Sequence, residues 1–193
     1  MAAATLQLVL VRHGETEWSR EGRHTGRTDL PLTEEGVAEA KAIAPLLGRF
    51  TFSRVLSSPL TRALETCRLA GLGDRVETRE ELLEWDYGSY DGRRTSEIRE
   101  ERPNWVLWRD GCPGGEGPDD VGARADRLLA EFAGTSGDVA IFGHGHMLRV
   151  LTARWLELPP AAGARFVLGT ATLSVLGWEH DWHAIRTWNA GRG

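Results

Sequence analysis

The chain alternates short apolar runs with apolar residues at helical spacing. Leu6-Gln7-Leu8-Val9-Leu10-Val11 is a compact run with β-branched members and predicts a buried strand. The stretch from Glu15 to Pro31 is polar and carries Gly22, Gly26 and Pro31, so it reads as a long loop, a kind that is usually functional in compact domains. Thr33 is placed to cap a helix whose inner face is Val37, Ala40, Ala44 and Leu47, with a kink expected at Pro45 and a stop at Gly48. Arg54-Val55-Leu56-Ser57 predicts a second strand. Ser58-Pro59 then opens a helix, with Ser58 as cap and Leu60, Ala63, Leu64, Cys67 and Leu69 as its apolar face. Arg75 to Thr78 predicts a third, short strand. Strand, helix, strand in this order predicts an α/β chain with a parallel sheet.

The rhythm breaks between Glu80 and Gly117. That stretch holds a charged helix over 95–102, the tryptophans Trp105 and Trp108, and a loop rich in Gly and Pro. One domain over 1–193 is expected, with a flap inserted at about 84–118. Helical spacing returns over 119–133 through Val121, Ala125, Leu128, Leu129 and Phe132. Asp138 to Gly143 is the clearest second buried strand, followed by a helix over 147–156. Strands at 166–168, 172–178 and 183–188 close the pattern, the last two joined by a hairpin.

Composition narrows the setting. A length of 193 residues suits one sizeable core. A net charge of -5 gives no reason to expect nucleic acid or an anionic membrane as partner. Lys41 is the sole lysine, so arginine supplies nearly all the positive charge. Two cysteines without CxxC spacing, no signal-like start and no long apolar run together point to a cytoplasmic protein. The closing strands and their tryptophans are the expected edge for a homodimer.

Candidate chemistry gathers where strands end, because open α/β sheets bind ligands at the carboxyl ends of their strands. Arg12-His13-Gly14 follows the first strand and Gly143-His144-Gly145 follows the clearest later one. Arginine offers a planar fork of donors for phosphate, and histidine offers a nitrogen that can attack, take a proton or bind metal. The glycines permit close backbone approach. Arg62 lies one turn into a helix whose start itself favours an anion, and Glu84 lies at the mouth of the insertion. Each has a bland alternative: a solvated charge for Arg62, a surface acid for Glu84, a core histidine for His144. His144 and His146 also have the spacing of a metal pair, but lack a carboxylate or cysteine partner. His24, His180 and His183 are read as plain loop residues, and Trp105 and Trp108 as packing.

Four segments in order, LVLVRHGETEW, SSPLTRALET, LLEWDYGSYDG and FGHGHMLR, resemble the histidine phosphatase superfamily in its phosphoglycerate mutase-like branch. Their flanking words are most similar to the small bacterial broad-specificity acid phosphatases. The resemblance implies a three-layer α/β sandwich, mainly parallel, with helices on both faces and an antiparallel edge. It implies His13 as the nucleophile that carries a phosphoryl group, Arg12 and Arg62 as phosphate-holding arginines, His144 as the second pocket histidine, and Glu84 as proton donor. Ser19, Thr25 and Gly26 fall in the stretch that touches substrate, and Gly14, Trp85, Tyr87 and Gly145 flank the same pocket. No cofactor and no metal is implied, and the partner is a small phosphorylated substrate. Two guanidiniums and a protonated histidine would neutralise the phosphate dianion and spread charge in the transition state.

The same pocket serves mutases and phosphatases. A mutase must exclude water and grip a second anionic group, which calls for extra cations in the insertion. Arg93, Arg94, Arg99, Arg102 and Arg109 are present there without the paired arrangement expected of a mutase. Hydrolysis of small phosphate esters is therefore the expected activity. Bisphosphoglycerate-dependent phosphoglycerate mutase is the alternative enzyme, and a catalytically silent phosphate-binding module is the alternative outside enzymes.

Overall fold

A computed structural model describes residues 6–191. Six strands form one sheet: β1 (Gln7–Arg12), β2 (Phe52–Ser57), β3 (Val76–Thr78), β4 (Asp138–Gly143), β5 (Leu173–Glu179) and β6 (Trp182–Ala190). Their spatial order is β3-β2-β4-β1-β5-β6. The first four are mutually parallel, while β5 and β6 run antiparallel and make the expected edge.

Among the described residues eight α-helices surround this sheet: α1 (Glu17–Arg20), α2 (Glu34–Ala42), α3 (Ala44–Leu47), α4 (Thr61–Leu69), α5 (Thr95–Glu101), α6 (Leu107–Asp110), α7 (Pro118–Ala130) and α8 (Gly145–Trp155). The middle of β1, Leu8 to Val11, and of β4, Val139 to Phe142, is an unbroken apolar run because both faces are covered, as buried parallel strands require. Leu8, Leu10, Val139 and Ile141 point to one face, against Val121, Ala125 and Leu128 of α7 and Met147 and Leu151 of α8. Their neighbours Val9, Val11, Ala140 and Phe142 point to the other, against Ile43, Leu47 and Cys67.

Several expected boundaries move. The Thr33 cap forms, its hydroxyl accepting from the Gly36 N–H at 3.0 Å. The helix it starts stops at Ala42, and α3 begins afresh with Pro45 in its first turn. Proline has no N–H for the preceding turn, so the kink becomes a break. The loop over 15–31 contains α1, closed by a capping box between Thr16 and Ser19. Ser58 does not cap α4, whose first helical residue is Thr61. Residues 166–168 form no strand; a 3₁₀ stretch, Pro160–Arg165, precedes them.

The segment expected as a flap is packed into the larger core cluster. Trp85, Tyr90, Ile98, Trp105 and Leu107 are all buried there, which matches the packing role read for Trp105. Among the described residues no helix is long and apolar enough to cross a membrane.

Candidate active site

Strand register builds the site. β1 and β4 are parallel neighbours with Arg12 opposite Gly143, so the next residues, His13 and His144, leave the sheet side by side. The His13 N–H donates to the Gly143 carbonyl at 3.0 Å, and the two ring centroids lie 5.1 Å apart. β2 flanks β4 on its other side and delivers Ser58, whose N–H donates to the Phe142 carbonyl. Three adjacent strand ends thus present a serine and two histidines.

Hydrogen bonds set the tautomers. His13 Nδ1 lies 2.7 Å from the Gly14 carbonyl, an acceptor only, so Nδ1 carries the proton and Nε2 is left with its lone pair. Burial, then the charges of Arg62 and Arg12, hold the His13 pKa well below its ordinary value, so the ring stays neutral. His144 is neutral for a related reason. Its Nδ1 accepts from Arg62 Nε at 3.2 Å, and its Nε2 lies 2.7 Å from Ser58 Oγ, to which it donates. Burial and the Arg62 guanidinium depress its pKa well below the usual value. The protonated His144 expected from the sequence does not fit, because a proton on Nδ1 would face the Arg62 N–H.

Arg62 is fully buried, with its fork on the Thr28, Thr25 and Gly26 carbonyls. Burial lowers its pKa, while the negative charges of Glu84 and Asp29 work against that. Arg12 donates to the Leu168 carbonyl at 2.6 Å. Gly14 is glycine for its backbone: a Cβ there would collide with the Gly36 carbonyl of α2. Its N–H donates to Thr66 Oγ1 at 3.0 Å. The sequence reading attached the close approach to a ligand, whereas here the partner is another stretch of backbone.

Glu84 sits at the start of α8. Its Oε1 accepts from the N–H groups of Trp85 and Met147, both at 2.8 Å, and its Oε2 accepts from that of His146 at 3.0 Å. A second tie is Arg124 of α7. It donates to the Glu81, Leu83 and Glu84 carbonyls and forms a bidentate pair with Glu116, at 2.7 and 2.9 Å. Glu116 in turn accepts from the Asp86 N–H, and its carbonyl accepts from the buried Trp85 indole.

A cavity of about 200 Å³ opens over His13. Its wall includes Arg12, His13, Ser19, Thr25, Glu84, Tyr87 and Gly145 from the residues singled out in the sequence. The remaining five, Gly14, Gly26, Arg62, Trp85 and His144, are not on this wall. Larger hollows of about 630 and 610 Å³ lie around Leu6 and Trp178, and neither touches any of these twelve residues.

The wall also holds residues given no such role above: Gly22, Arg23, His24, His146, Arg149 and Leu168. His24 packs at a tilt against Tyr87 with ring centroids 4.7 Å apart, and burial pulls its pKa down to about 4. His146 Nδ1 lies 2.6 Å from the Tyr87 hydroxyl. Nothing in local pattern marks His24, which arrives from the long loop. His146 and Arg149 are set by helical geometry, two and five residues after His144 on α8. Among the described residues no group of three or more His, Cys, Asp or Glu converges as a metal site would require, so His144 and His146 gain no third ligand.

The model of the histidine phosphatase superfamily (branch 1) matches residues 8–191. The chain belongs to that superfamily, as a hydrolase of the phosphoglycerate mutase-like kind. It is 44% identical over 184 residues to an acid phosphatase of Mycobacterium tuberculosis, covering 93% of this chain and 90% of that protein. It is 36% identical over 191 residues to the sedoheptulose 1,7-bisphosphatase of Saccharomyces cerevisiae, covering 82% and 70%. The solved structure of the open reading frame Rv3214 from M. tuberculosis superimposes with a TM-score of 0.90 at 42% identity, over 95% of this chain and 96% of that one.

Proposed function

We propose that the protein is a metal-independent phosphomonoesterase that hydrolyses small phosphate esters through a phosphohistidine on His13. The observation that carries this reading is the fixed tautomer of His13: a neutral ring, its Nδ1 proton on Gly14, its Nε2 lone pair free, in the wall of a cationic cavity. Nε2 attacks phosphorus, a P–N bond forms and the P–O bond to the alcohol breaks. Glu84, protonated for this step, gives its proton to the departing oxygen. In the second step water attacks phosphorus, the Glu84 carboxylate takes the water proton, and the P–N bond breaks to return His13 and release phosphate. Arg12 on the wall and Arg62 behind His13 supply positive charge where the phosphoryl oxygens gain negative charge. His144 acts as a neutral spacer that ties Arg62 to Ser58.

Hydrolysis rather than phosphoryl return to a sugar acid is supported by where the insertion's arginines point. Arg93 pairs with Glu101, Arg94 with Glu21 and Glu97, and Arg109 with Asp110. Arg99 and Arg102 donate to the Trp105 carbonyl and the Tyr90 hydroxyl. None of the five lines the cavity. The phosphatase names of the relatives above support the same choice. The reading is tested by phosphate release from an aryl phosphate, with and without chelator, and by trapping the phosphorylated protein. Label on protein that survives alkali but not acid, and is absent in His13→Ala, is expected. Turnover that persists in that variant overturns it.

A further inference from the structure

The segment that carries Glu84 has no regular structure of its own. Residues 84–87 lie between the 3₁₀ turns Glu80–Leu82 and Gly88–Tyr90 and belong to neither a helix nor a strand. No ladder supplies hydrogen bonds there, yet backbone groups out of water need partners. Two side chains provide them. Arg124 uses all three of its nitrogens. Nε and one terminal nitrogen hold the Glu116 carboxylate, and that terminal nitrogen also reaches the Glu84 carbonyl at 3.4 Å. The other holds the Glu81 and Leu83 carbonyls at 2.7 and 2.9 Å, and lies 3.5 Å from the Met147 sulfur. Glu116 clamps Asp86 from both sides: its carboxylate accepts from the Asp86 N–H and its own N–H donates to the Asp86 carbonyl, both at 2.8 Å. Its carbonyl holds the indole of Trp85, whose N–H binds Glu84 Oε1.

Neither Arg124 nor Glu116 is on the cavity wall, so neither meets an ester there. A buried ion pair is also a weak stabilising device, because the cost of taking two charges out of water offsets their attraction. What this pair adds, and apolar residues could not, is directed hydrogen bonds to the backbone on both sides of Glu84. We propose that Arg124 and Glu116 are positioning residues for proton transfer at Glu84. This rests on the phosphomonoesterase reading with Glu84 as the donor. The pair fixes the Glu84 main chain, and the N–H groups of Trp85, His146 and Met147 fix its carboxyl oxygens. Loosening the pair lets that carboxyl group drift from the leaving oxygen, while His13 and Arg12 stay where β1 holds them.

The test compares three esters whose leaving alcohols differ in their need for a proton: 4-nitrophenyl, phenyl and benzyl phosphate. Two variants loosen the pair: Glu116→Gln keeps the shape and removes the charge, and Arg124→Lys keeps the charge and removes the fork. Each is expected to lower kcat/KM for benzyl phosphate about tenfold more than for 4-nitrophenyl phosphate, with phenyl phosphate between them. A slight misplacement of an acid that contributes about 10²–10⁴ implies a bias of that size. Loss of folded protein lowers all three by one factor, so the benzyl-to-nitrophenyl ratio can be read even in a variant that folds poorly. In a Glu84→Gln background, Glu116→Gln leaves the ratio unchanged, because the proton is already gone. A wild-type ratio in either single variant, or a further fall in the double variant, overturns the positioning role and leaves the phosphatase reading intact. A wild-type ratio in Glu84→Gln alone removes Glu84 as the donor and the positioning role with it. No phosphate release from any of the three esters by the wild-type protein overturns the phosphatase reading as well.

Discussion

The two ends of the cavity are built on different principles. At one end, Arg12 and His13 leave β1, with His144 beside them from β4, and each is held by the sheet's own register. Elsewhere on the wall, His24 comes from a loop, Tyr87 from the segment after Glu84, and His146 and Arg149 from successive turns of α8. The first end is fixed by backbone hydrogen bonds and lies against a fully buried arginine. The second is assembled from side-chain contacts between elements far apart in sequence. A rigid end suits chemistry common to all phosphate esters, and a composite end suits selection among alcohols.

His13→Ala is the sharpest way to test the first end. Loss of the proposed nucleophile is expected to lower kcat/KM by about four orders of magnitude or more, with the circular dichroism spectrum unchanged. Next comes Glu84→Gln, which removes the transferable proton but keeps a hydrogen-bonding shape. A fall in kcat of about 10²–10⁴ is expected for alkyl phosphates and a smaller one for aryl phosphates, whose leaving oxygen needs less help. Equal losses for both would place the proton donor elsewhere.

Arg124→Met probes the bracket that holds Glu84 between the two ends. It strands the Glu116 carboxylate and three carbonyls, and a loss of about 3–5 kcal/mol in urea unfolding is expected. The smallest expected effect concerns the composite end. In the folded chain His24 titrates at about 4, whereas the unfolded chain takes up that proton near the ordinary value of 6.5. The unfolded state therefore binds more protons between those values, and stability falls as pH drops from about 6.5 to about 4. A His24→Asn variant should show a flatter dependence over that window. An identical slope would show that His24 is not what the acid attacks.

The same division explains what the sequence discloses. Apolar runs at 6–11 and 138–143 mark buried parallel strands, and a strand end is a place where local pattern and site coincide. His13 and His144 are legible for that reason. The interruption at Pro45 and the cap at Thr33 are likewise local. His24, His146 and Arg149 are not, because their significance arises only when α8, the loop before α2 and the segment around Tyr87 meet. Its neighbour Pro59 makes Ser58 look like a helix cap. Its hydroxyl instead accepts a hydrogen bond from His144, a partner 86 residues away that no window along the chain contains.

The apposition of Gly14 and Gly36 carries a consequence for how this enzyme family member can change. A Cβ at Gly14 would strike the Gly36 carbonyl, and one at Gly36 would strike the Glu15 carbonyl. Neither position can acquire a side chain while the other stays put, so drift at either is blocked from both directions. The turn bearing His13 is wedged against α2 with no slack to swing outward. Under the proposed reaction, room for a bulkier alcohol has to come from the other walls of the cavity.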